Sequence, residues 1–300
     1  MKGLSEAGYA KTSFKQKSLQ TVIESGKGVY QLKHVKTQHG LSSMAGVTIT
    51  SVDPGQVQII QGVRAIGDFW SRSKVPELID LGEHVSYSGS EYSEKTRSNI
   101  ARQGEQKRRQ INTEYSEAIA AMPRRDCINK VNWTDYCKAW AVHQHVYWKE
   151  KLNHHRKCQR FSRFRAVQST LEDIAERIAP KRECGLVRKL VMFGAASFAA
   201  QKGCAAAPRK ALIRVLCQRV PVIMVPEHYT SISCPGCGRE TKTTDYRTKM
   251  CETTSAVQSC PLHPTVSTYS LDRDLAGSLN IGIKGVYSIA GVDFKVRVDT

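Results

Sequence analysis

The chain has 300 residues, enough for one large domain or two small ones, and 40% of them are hydrophobic, enough to form a core. Its formal net charge is +18, from 45 Lys and Arg against 27 Asp and Glu. A basic excess of this size predicts a polyanionic partner, of which nucleic acid is the commonest. No apolar stretch approaches the ~18 residues of a transmembrane helix, and the first residues lack the apolar region of a signal peptide. We therefore expect an intracellular protein with no membrane partner, nuclear if its host is eukaryotic.

The first part of the chain predicts an arm followed by a hairpin. Residues 1–44 are polar with little periodicity, which indicates a poorly ordered basic arm or the remnant of an N-terminal domain. Residues 46–53 and 56–63 are rich in β-branched residues and are separated by a Pro-Gly turn. They predict two strands, which open the first part of an α/β core over 45–90.

A basic helical insertion is predicted over residues 91–182. One helical pattern ends at Pro123, and a second begins near Trp133 and continues to Ile178. Apolar residues at three- and four-residue spacing predict that one face of this helix is buried; they are Phe164, Val167, Leu171, Ile174 and Ile178. We interpret Phe164 accordingly as a core residue.

Basic residues cluster just before and within that stripe, interleaved with Trp148, Phe161 and Phe164. Cations mixed with aromatic rings are typical of a helix that follows a phosphate backbone. The alternative is a solvated charged face over a packed stripe. The candidate nucleic-acid-binding residues are Lys149, Arg156, Lys157, Arg160 and Arg163.

A parallel strand pair is predicted in the second part of the core, over 183–230. Residues 186–194 and 220–227 are apolar strand patterns, and residues 208–219 between them form a helical pattern that starts at a proline. A strand, a helix and a strand in this order predict a βαβ unit.

The cysteine-bearing segment 231–268 predicts a structural zinc site. Cys234 and Cys237 form a CxxC turn followed by Gly238, and Cys260 and His263 form a second pair with the same spacing. Together they give a closed tetrahedral Cys3His set, which suits zinc. Cys251 is a further candidate, able to replace His263 or Cys260. A redox CxxC pair is the competing interpretation, but such a motif normally opens a helix just after a strand.

Candidate catalytic carboxylates stand at the ends of predicted elements. Asp53 closes the first strand, Glu227 ends the strand 220–227, and Asp274 lies in the first turn of a final helix, 272–290. Converging carboxylates are the ligands that Mg²⁺ needs for phosphodiester hydrolysis. Each has an ordinary structural alternative: a turn for Asp53, a solvated loop for Glu227, and the helix dipole for Asp274.

The order of these features resembles the RuvC-like nuclease domain of the transposon-encoded TnpB and Fanzor proteins, relatives of type V CRISPR effectors. The matching segments are Ser51-Val-Asp-Pro-Gly55, Thr230-Ser-Ile-Ser-Cys-Pro-Gly-Cys-Gly238, Cys260-Pro-Leu-His263 and Asp272-Arg-Asp-Leu-Ala-Gly-Ser-Leu-Asn-Ile281. The resemblance covers roughly residues 46–290.

This resemblance implies an RNase H-like (RuvC) mixed sheet with a helical insertion, a zinc ribbon and a last helix within 269–300. It further implies an endonuclease that binds DNA and a guide RNA and uses two catalytic Mg²⁺ ions. Asp53, Glu227 and Asp274 would be both the catalytic residues and the magnesium ligands. Glu227 matches the Fanzor pattern, because the strand that carries the glutamate in TnpB reads Leu190-Val-Met-Phe-Gly194 here, with no acid.

A second interpretation stays open, that of a catalytically inactive or truncated nucleic-acid-binding zinc-ribbon protein. It rests on the short segment before Asp53, where the family has a large guide-binding region, and on the missing acid near Gly194. A zinc-ribbon component of a larger transcription or ribosomal assembly is a third possibility, under which the carboxylate motifs would be coincidences.

Overall fold

The structure is a computed structural model, and it describes residues 16–37, 44–55, 57–123, 130–181, 188–195, 208–245, 247–252, 260–264 and 268–294. The chain folds into two compact units. We call residues 1–89 with 171–300 the sheet unit, and residues 90–170 the helical unit. In the part of the chain that the structure describes, no helix is long and apolar enough to cross a membrane.

The sheet unit is built on a mixed six-stranded sheet with the order β1-β6-β5-β2-β3-β4. Its strands are β1 (Gly28–Gln31), β2 (Val47–Pro54), β3 (Gln58–Ile66), β4 (Glu83–Ser88), β5 (Arg188–Gly194) and β6 (Pro221–Val225). β2, β3 and β4 form an antiparallel meander, whereas β5 pairs parallel with β2 and β6 pairs parallel with β5. The protein is therefore an α/β protein with a mixed sheet, as the sequence predicts at that level.

The predicted βαβ unit is present. Helix α8 (Arg209–Leu216) lies in sequence between β5 and β6, and it buries Leu212, Ile213 and Leu216. All five residues of β6 are buried, as expected for a parallel strand covered on both faces. The register places Gly194, the last residue of β5, beside Val225, the last residue of β6. The two strands thus end level with each other.

Helix α9 (Arg273–Ala290) packs across the sheet. It contacts β2, β3 and β5, and Leu279, Ile283 and Val286 share one core cluster with Ile49 and Met192 of the strands. Its predicted bounds, 272–290, agree with the structure. A short helix, α2 (Val75–Asp80), adds Val75 and Leu78 to the same cluster.

The expectation of a poorly ordered arm over 1–44 is wrong for residues 16–37; residues 1–15 and 38–43 lie outside the described residues. Here α1 (Leu19–Glu24) begins at Ser18, whose side chain caps Thr21, and buries Leu19 and Val22. β1 then pairs parallel with β6 and extends the sheet by one edge strand. Four residues of a polar segment gain order from backbone pairing, which hydrophobic periodicity does not reveal.

A second, three-stranded antiparallel sheet carries part of the cysteine segment. It consists of β7 (Lys242–Thr243), β8 (Thr248–Glu252) and β9 (Thr268–Asp272), in that order. The sequence indicated only a loop-like region here. β9 ends where α9 begins, so the cysteine-bearing sheet leads directly into the Asp274 turn.

The helical unit contains α3 (Gly89–Lys95), α4 (Ser98–Ile111), α5 (Thr113–Ala120), α6 (Lys130–Lys151) and most of α7 (His154–Ile178). Its small core is formed by Tyr115, Ala118 and Val146. The long helix predicted from Trp133 to Ile178 is interrupted after Lys151. The predicted apolar stripe is buried only from Leu171 onward, in the part of α7 that belongs to the sheet unit. Phe164 is 59% exposed, so its interpretation as a core residue is wrong.

Candidate functional site: an acidic cluster and a four-cysteine centre

Asp53 lies near the end of β2, a central strand of the sheet. It is paired in the antiparallel ladder with Gln61 of β3, and Val52 before it is paired with Phe193 of β5. Ladder bonds on both sides make this strand end rigid. The Asp53 carboxyl group therefore has a fixed place at the end of the sheet where β5 and β6 also finish.

Glu227 reaches the same place from β6. It follows the strand by two residues, and its backbone oxygen accepts hydrogen bonds from the Thr230 amide at 3.1 Å and the Thr230 hydroxyl at 2.8 Å. A Cβ atom built on Gly194 would overlap Oε1 of Glu227 and would lie 2.8 Å from Cδ of Pro54. The Glu227 carboxyl group thus lies over the end of β5, in space that any side chain at position 194 would fill.

Asp274 is placed by the first turn of α9. Asp272 is the N-cap, and its Oδ1 accepts hydrogen bonds from the amides of Asp274 at 2.9 Å and Leu275 at 3.1 Å. One turn later, a Cβ atom on Gly277 would overlap Oδ2 of Asp53. The absence of a side chain at Gly277 therefore lets the first turns of α9 approach the end of β2.

The three carboxyl groups share one electrostatic environment. The pKa of Asp53 rises from 3.8 to about 8, first because the group is buried, and then because the negative charges of Glu227 and Asp274 oppose its ionisation. The positive charge of Arg273 acts in the opposite direction. The structure thus brings together the three acids that the sequence singled out.

Two arginines flank this cluster. The guanidinium of Arg273 lies 3.1 Å from Oδ1 of Asp274, and that of Arg247, just before β8, lies 3.7 Å from Oδ2. The amide of Arg273 also donates to the Arg247 carbonyl oxygen at 2.7 Å. Sequence reasoning missed Arg247, because no motif surrounds it and its place depends on how β8 pairs with β9.

The sequence matches no protein-family model, and no match is found among curated proteins. What the site does must therefore be inferred from its own residues.

The cysteine centre is formed by Cys234, Cys237, Cys251 and Cys260. Their sulfur atoms all lie within 4.8 Å of one another, close enough to hold a metal ion such as zinc. Among the described residues this is the one group of three or more potential ligand atoms so closely spaced. The three carboxylates are therefore more widely separated than the ligands of a single closed site.

Cys251 takes the place that the sequence prediction assigned to His263. Cys251 Sγ lies 3.6 Å from Cys237 Sγ, and Cys234 Sγ lies 3.7 Å from Cys260 Sγ. His263 is buried nearby, but its ring stacks on Tyr269 at 6.3 Å with an interplanar angle of 5°. The antiparallel pairing of β8 with β9 carries Cys251 to the two knuckles, a pairing that residue spacing does not reveal.

The first knuckle is a tight turn closed by backbone hydrogen bonds. The Cys234 amide donates to the Arg239 carbonyl oxygen at 2.7 Å, and the Gly238 amide donates to the Cys234 carbonyl oxygen at 2.9 Å. Gly238 has a φ of +78°, which favours glycine over other residues. Hydrogen bonds among the four sulfur atoms lower the pKa values of Cys237 and Cys260 and raise those of Cys234 and Cys251.

Asn280 ties the cysteine centre to the acidic cluster. Its side-chain nitrogen, fully buried, donates to the carbonyl oxygens of Thr230 at 2.8 Å and Ser233 at 2.7 Å. Those two residues lie between Glu227 and Cys234. Asn280 belongs to the motif that begins at Asp272, but no local pattern in the sequence indicated its structural role.

The predicted nucleic-acid-binding residues lie on α6 and α7. Arg156 forms ion pairs with Glu105 at 2.6 Å and Glu150 at 3.6 Å, and its side chain is only 11% exposed. Arg156 therefore stabilises the helical unit and presents little charge to solvent. Lys149, Lys157, Arg160 and Arg163 are exposed.

Proposed function

We propose that the sheet unit is a RuvC-like, Mg²⁺-dependent endonuclease that acts on DNA, with Asp53, Glu227 and Asp274 as its catalytic carboxylates. The observation that carries this proposal is the convergence of these three acids from β2, the end of β6 and the start of α9. Burying like charges together is unfavourable unless a cation compensates them, and the raised pKa of Asp53 expresses that cost.

The strand arrangement supports the proposal. A three-stranded antiparallel meander, extended from its first strand by parallel strands joined through a crossover helix, is the arrangement of RNase H-like folds. Here the meander is β2-β3-β4 and the parallel extension is β5 and β6. Asp53 would stand on the first strand of that fold, as the resemblance to TnpB and Fanzor proteins implies.

The donor set suits magnesium. Carboxylate oxygens are the ligands that this hard cation prefers, and Asp53, Glu227 and Asp274 would hold it. Bound there, Mg²⁺ would supply an activated water and neutralise the charge that develops on the leaving oxygen. The wider spacing of the three carboxylates is compatible with ligands shared between two ions.

The chain's own residues would orient the substrate. Arg247 and Arg273 are both partly exposed beside Asp274, and their guanidinium groups can donate paired hydrogen bonds to a phosphate. The hydrogen bond from Asn280 to the Thr230 carbonyl oxygen would hold Glu227 in a fixed position relative to Asp274. The four cysteines would form a zinc ribbon whose ion is structural, since four protein ligands leave no open position. By resemblance, the full activity would be guided by RNA.

The test is cleavage of a labelled single-stranded DNA by the purified chain with Mg²⁺. Wild type is compared with Asp53→Ala, Asp274→Ala and a matched control, Asp173→Ala, whose side chain is on the outside of α7. We expect Mg²⁺-dependent cleavage by wild type and control, and a loss of about a hundredfold or more in the other two variants. Equal cleavage by all four proteins would exclude the carboxylates from the reaction. Binding without cleavage by wild type would support the catalytically inactive alternative.

A further inference from the structure

The exposed face of α7 combines two aromatic rings with positive charge. Phe161 and Phe164 are 62% and 59% exposed, although both are large apolar side chains. They are three residues apart on a helix and are therefore neighbours on its surface. Two large apolar side chains side by side form an exposed apolar patch, a feature typical of interaction surfaces.

Three cations surround the two rings. Lys157 precedes Phe161 by one turn, Arg160 precedes Phe164 by one turn, and Arg165 follows Phe161 by one turn. All three are exposed. Residues 151–171 contain no Asp or Glu at all.

No carboxylate of the described residues neutralises these cations. In the described part of the chain, no carboxylate forms an ion pair with Lys157, Arg160 or Arg165, whereas Arg156 on the other side of the helix pairs with Glu105 and Glu150. The one bond that Arg160 makes there is a donation to the Lys151 carbonyl oxygen at 2.9 Å, which leaves its charge intact.

Arg97 and Arg108, at the start of α4 and within it, contact a different face of α7. Arg97 donates to Oγ of Ser162 at 3.2 Å, and Arg108 donates to Oε1 of Gln159 at 2.8 Å. At 100° per residue, Gln159 and Ser162 point away from Phe161 and Phe164. The helix is thus anchored on one side and presents its rings and cations on the other.

We propose that this face of α7, which we call the Phe161–Phe164 platform, binds an unpaired nucleic-acid strand by stacking its bases on the two rings. Stacking needs exposed base faces, which a duplex hides, and Lys157, Arg160 and Arg165 lie where they can contact the phosphates of the same strand. A polyanion is favoured over a protein partner because every charge on this stretch of α7 is positive. This inference rests on the proposed function for the class of ligand and extends it to an unpaired strand.

The test is binding of the full chain to a fluorescein-labelled oligo(dT) of about 15 nucleotides, measured by anisotropy without Mg²⁺ so that cleavage plays no part. The Phe161→Ala, Phe164→Ala double variant should bind about tenfold to a hundredfold more weakly. Phe161→Tyr should retain most of the affinity, because it keeps an aromatic ring. Ile111→Ala, which truncates another exposed apolar residue of the same unit, should bind like wild type.

Further measurements distinguish stacking from charge, and DNA from RNA. Lys157→Gln should reduce the salt dependence of binding by about 0.7 in log–log slope. The fluorescence of a 2-aminopurine base in the strand should change on binding to wild type more than on binding to the double variant, and an oligo(U) strand tests RNA against DNA. Unchanged affinity of the double variant, or an equal loss for duplex and single strand, would overturn the platform. Because anisotropy without Mg²⁺ measures binding alone, its outcome does not depend on cleavage, so failure of the platform and failure of the proposed nuclease activity are distinguishable.

Discussion

Gly194 leaves open the space that the carboxyl group of Glu227 occupies. β5 ends at Gly194 beside the end of β6, and a Cβ atom there would overlap the Glu227 side chain. β5, which carries no acid at its end, is thus the neighbour of β6, which is followed by Glu227. In the proposed nuclease, Glu227 would take the place of the acid whose absence near Gly194 favoured an inactive protein at the level of sequence.

Gly194→Ala should displace the Glu227 carboxyl group and lower Mg²⁺-dependent cleavage by about tenfold or more, because a misplaced ligand weakens the ion's hold on substrate. The measurement is the initial rate of DNA cleavage over a range of Mg²⁺ concentrations, with thermal unfolding as a check on folding. The control is Gly104→Ala in α4, where the nearest atom to the new methyl group would be an Arg108 side-chain nitrogen at 3.5 Å, an ordinary contact. Equal rates for the two variants would contradict the placement of Glu227.

The raised pKa of Asp53 predicts a stability that depends on pH. Since this pKa is about 8 in the folded protein and has its ordinary value of 3.8 in an unfolded chain, the folded protein keeps a proton that the unfolded chain loses. The favourable contribution of protonated Asp53 to the free energy of unfolding is complete below about pH 4 and is lost as the pH rises to about 8.

Asp53→Asn cannot ionise, so without Mg²⁺ it should be more stable than wild type at pH 8, by on the order of 1–3 kcal/mol, with the difference vanishing near pH 4. Urea unfolding of both proteins at several pH values measures this difference. Adding Mg²⁺ at pH 8 should stabilise wild type more than the variant. A difference independent of pH would show that Asp53 is not a buried ionising group.

Substitution of Arg247 tests whether the cysteine-bearing sheet contributes to substrate binding. Arg247→Ala removes a cation 3.7 Å from Asp274. We expect cleavage at saturating Mg²⁺ to fall about tenfold, because the phosphate loses a charged donor, while the Mg²⁺ concentration for half-maximal rate does not rise. The control is Lys242→Ala, which removes a cation that pairs with Glu252 on the same sheet. A rise in the Mg²⁺ requirement with an unchanged maximal rate would assign Arg247 to holding Asp274 instead.

Substitutions of Cys251 and of His263 should have opposite effects on zinc binding. Cys251→Ser should lose most of the bound zinc and much of the stability, because it removes one of the four clustered sulfur atoms. His263→Ala should keep its zinc, and its loss of stability should be that of removing a buried ring that stacks on Tyr269. Zinc content by elemental analysis and thermal unfolding decide between them, with Cys158→Ser as an exposed cysteine control. Retained zinc in Cys251→Ser, with loss in His263→Ala, would restore the Cys3His set.

The sequence by itself determined the strands β2, β3, β5 and β6, the crossover helix and α9, because each has a strong apolar pattern bounded by proline, glycine or an N-cap. It also determined the three candidate acids, since each stands at the end of such an element. Weakly patterned elements were not predictable in this way: β1, β7, β8 and β9 are short, and they exist through pairing with distant strands.

Only the tertiary structure decided what depends on contacts between distant residues. The pairing of β8 with β9 placed Cys251 among the sulfur atoms and Arg247 beside Asp274. Helical periodicity assigned Phe164 to a buried stripe, yet it is exposed, because periodicity specifies a shared face and not whether another element covers that face. The structural role of Gly194 and Gly277 is to leave space for the carboxyl groups of Glu227 and Asp53. Local sequence could not predict this role, because it depends on distances between residues that are far apart in the chain.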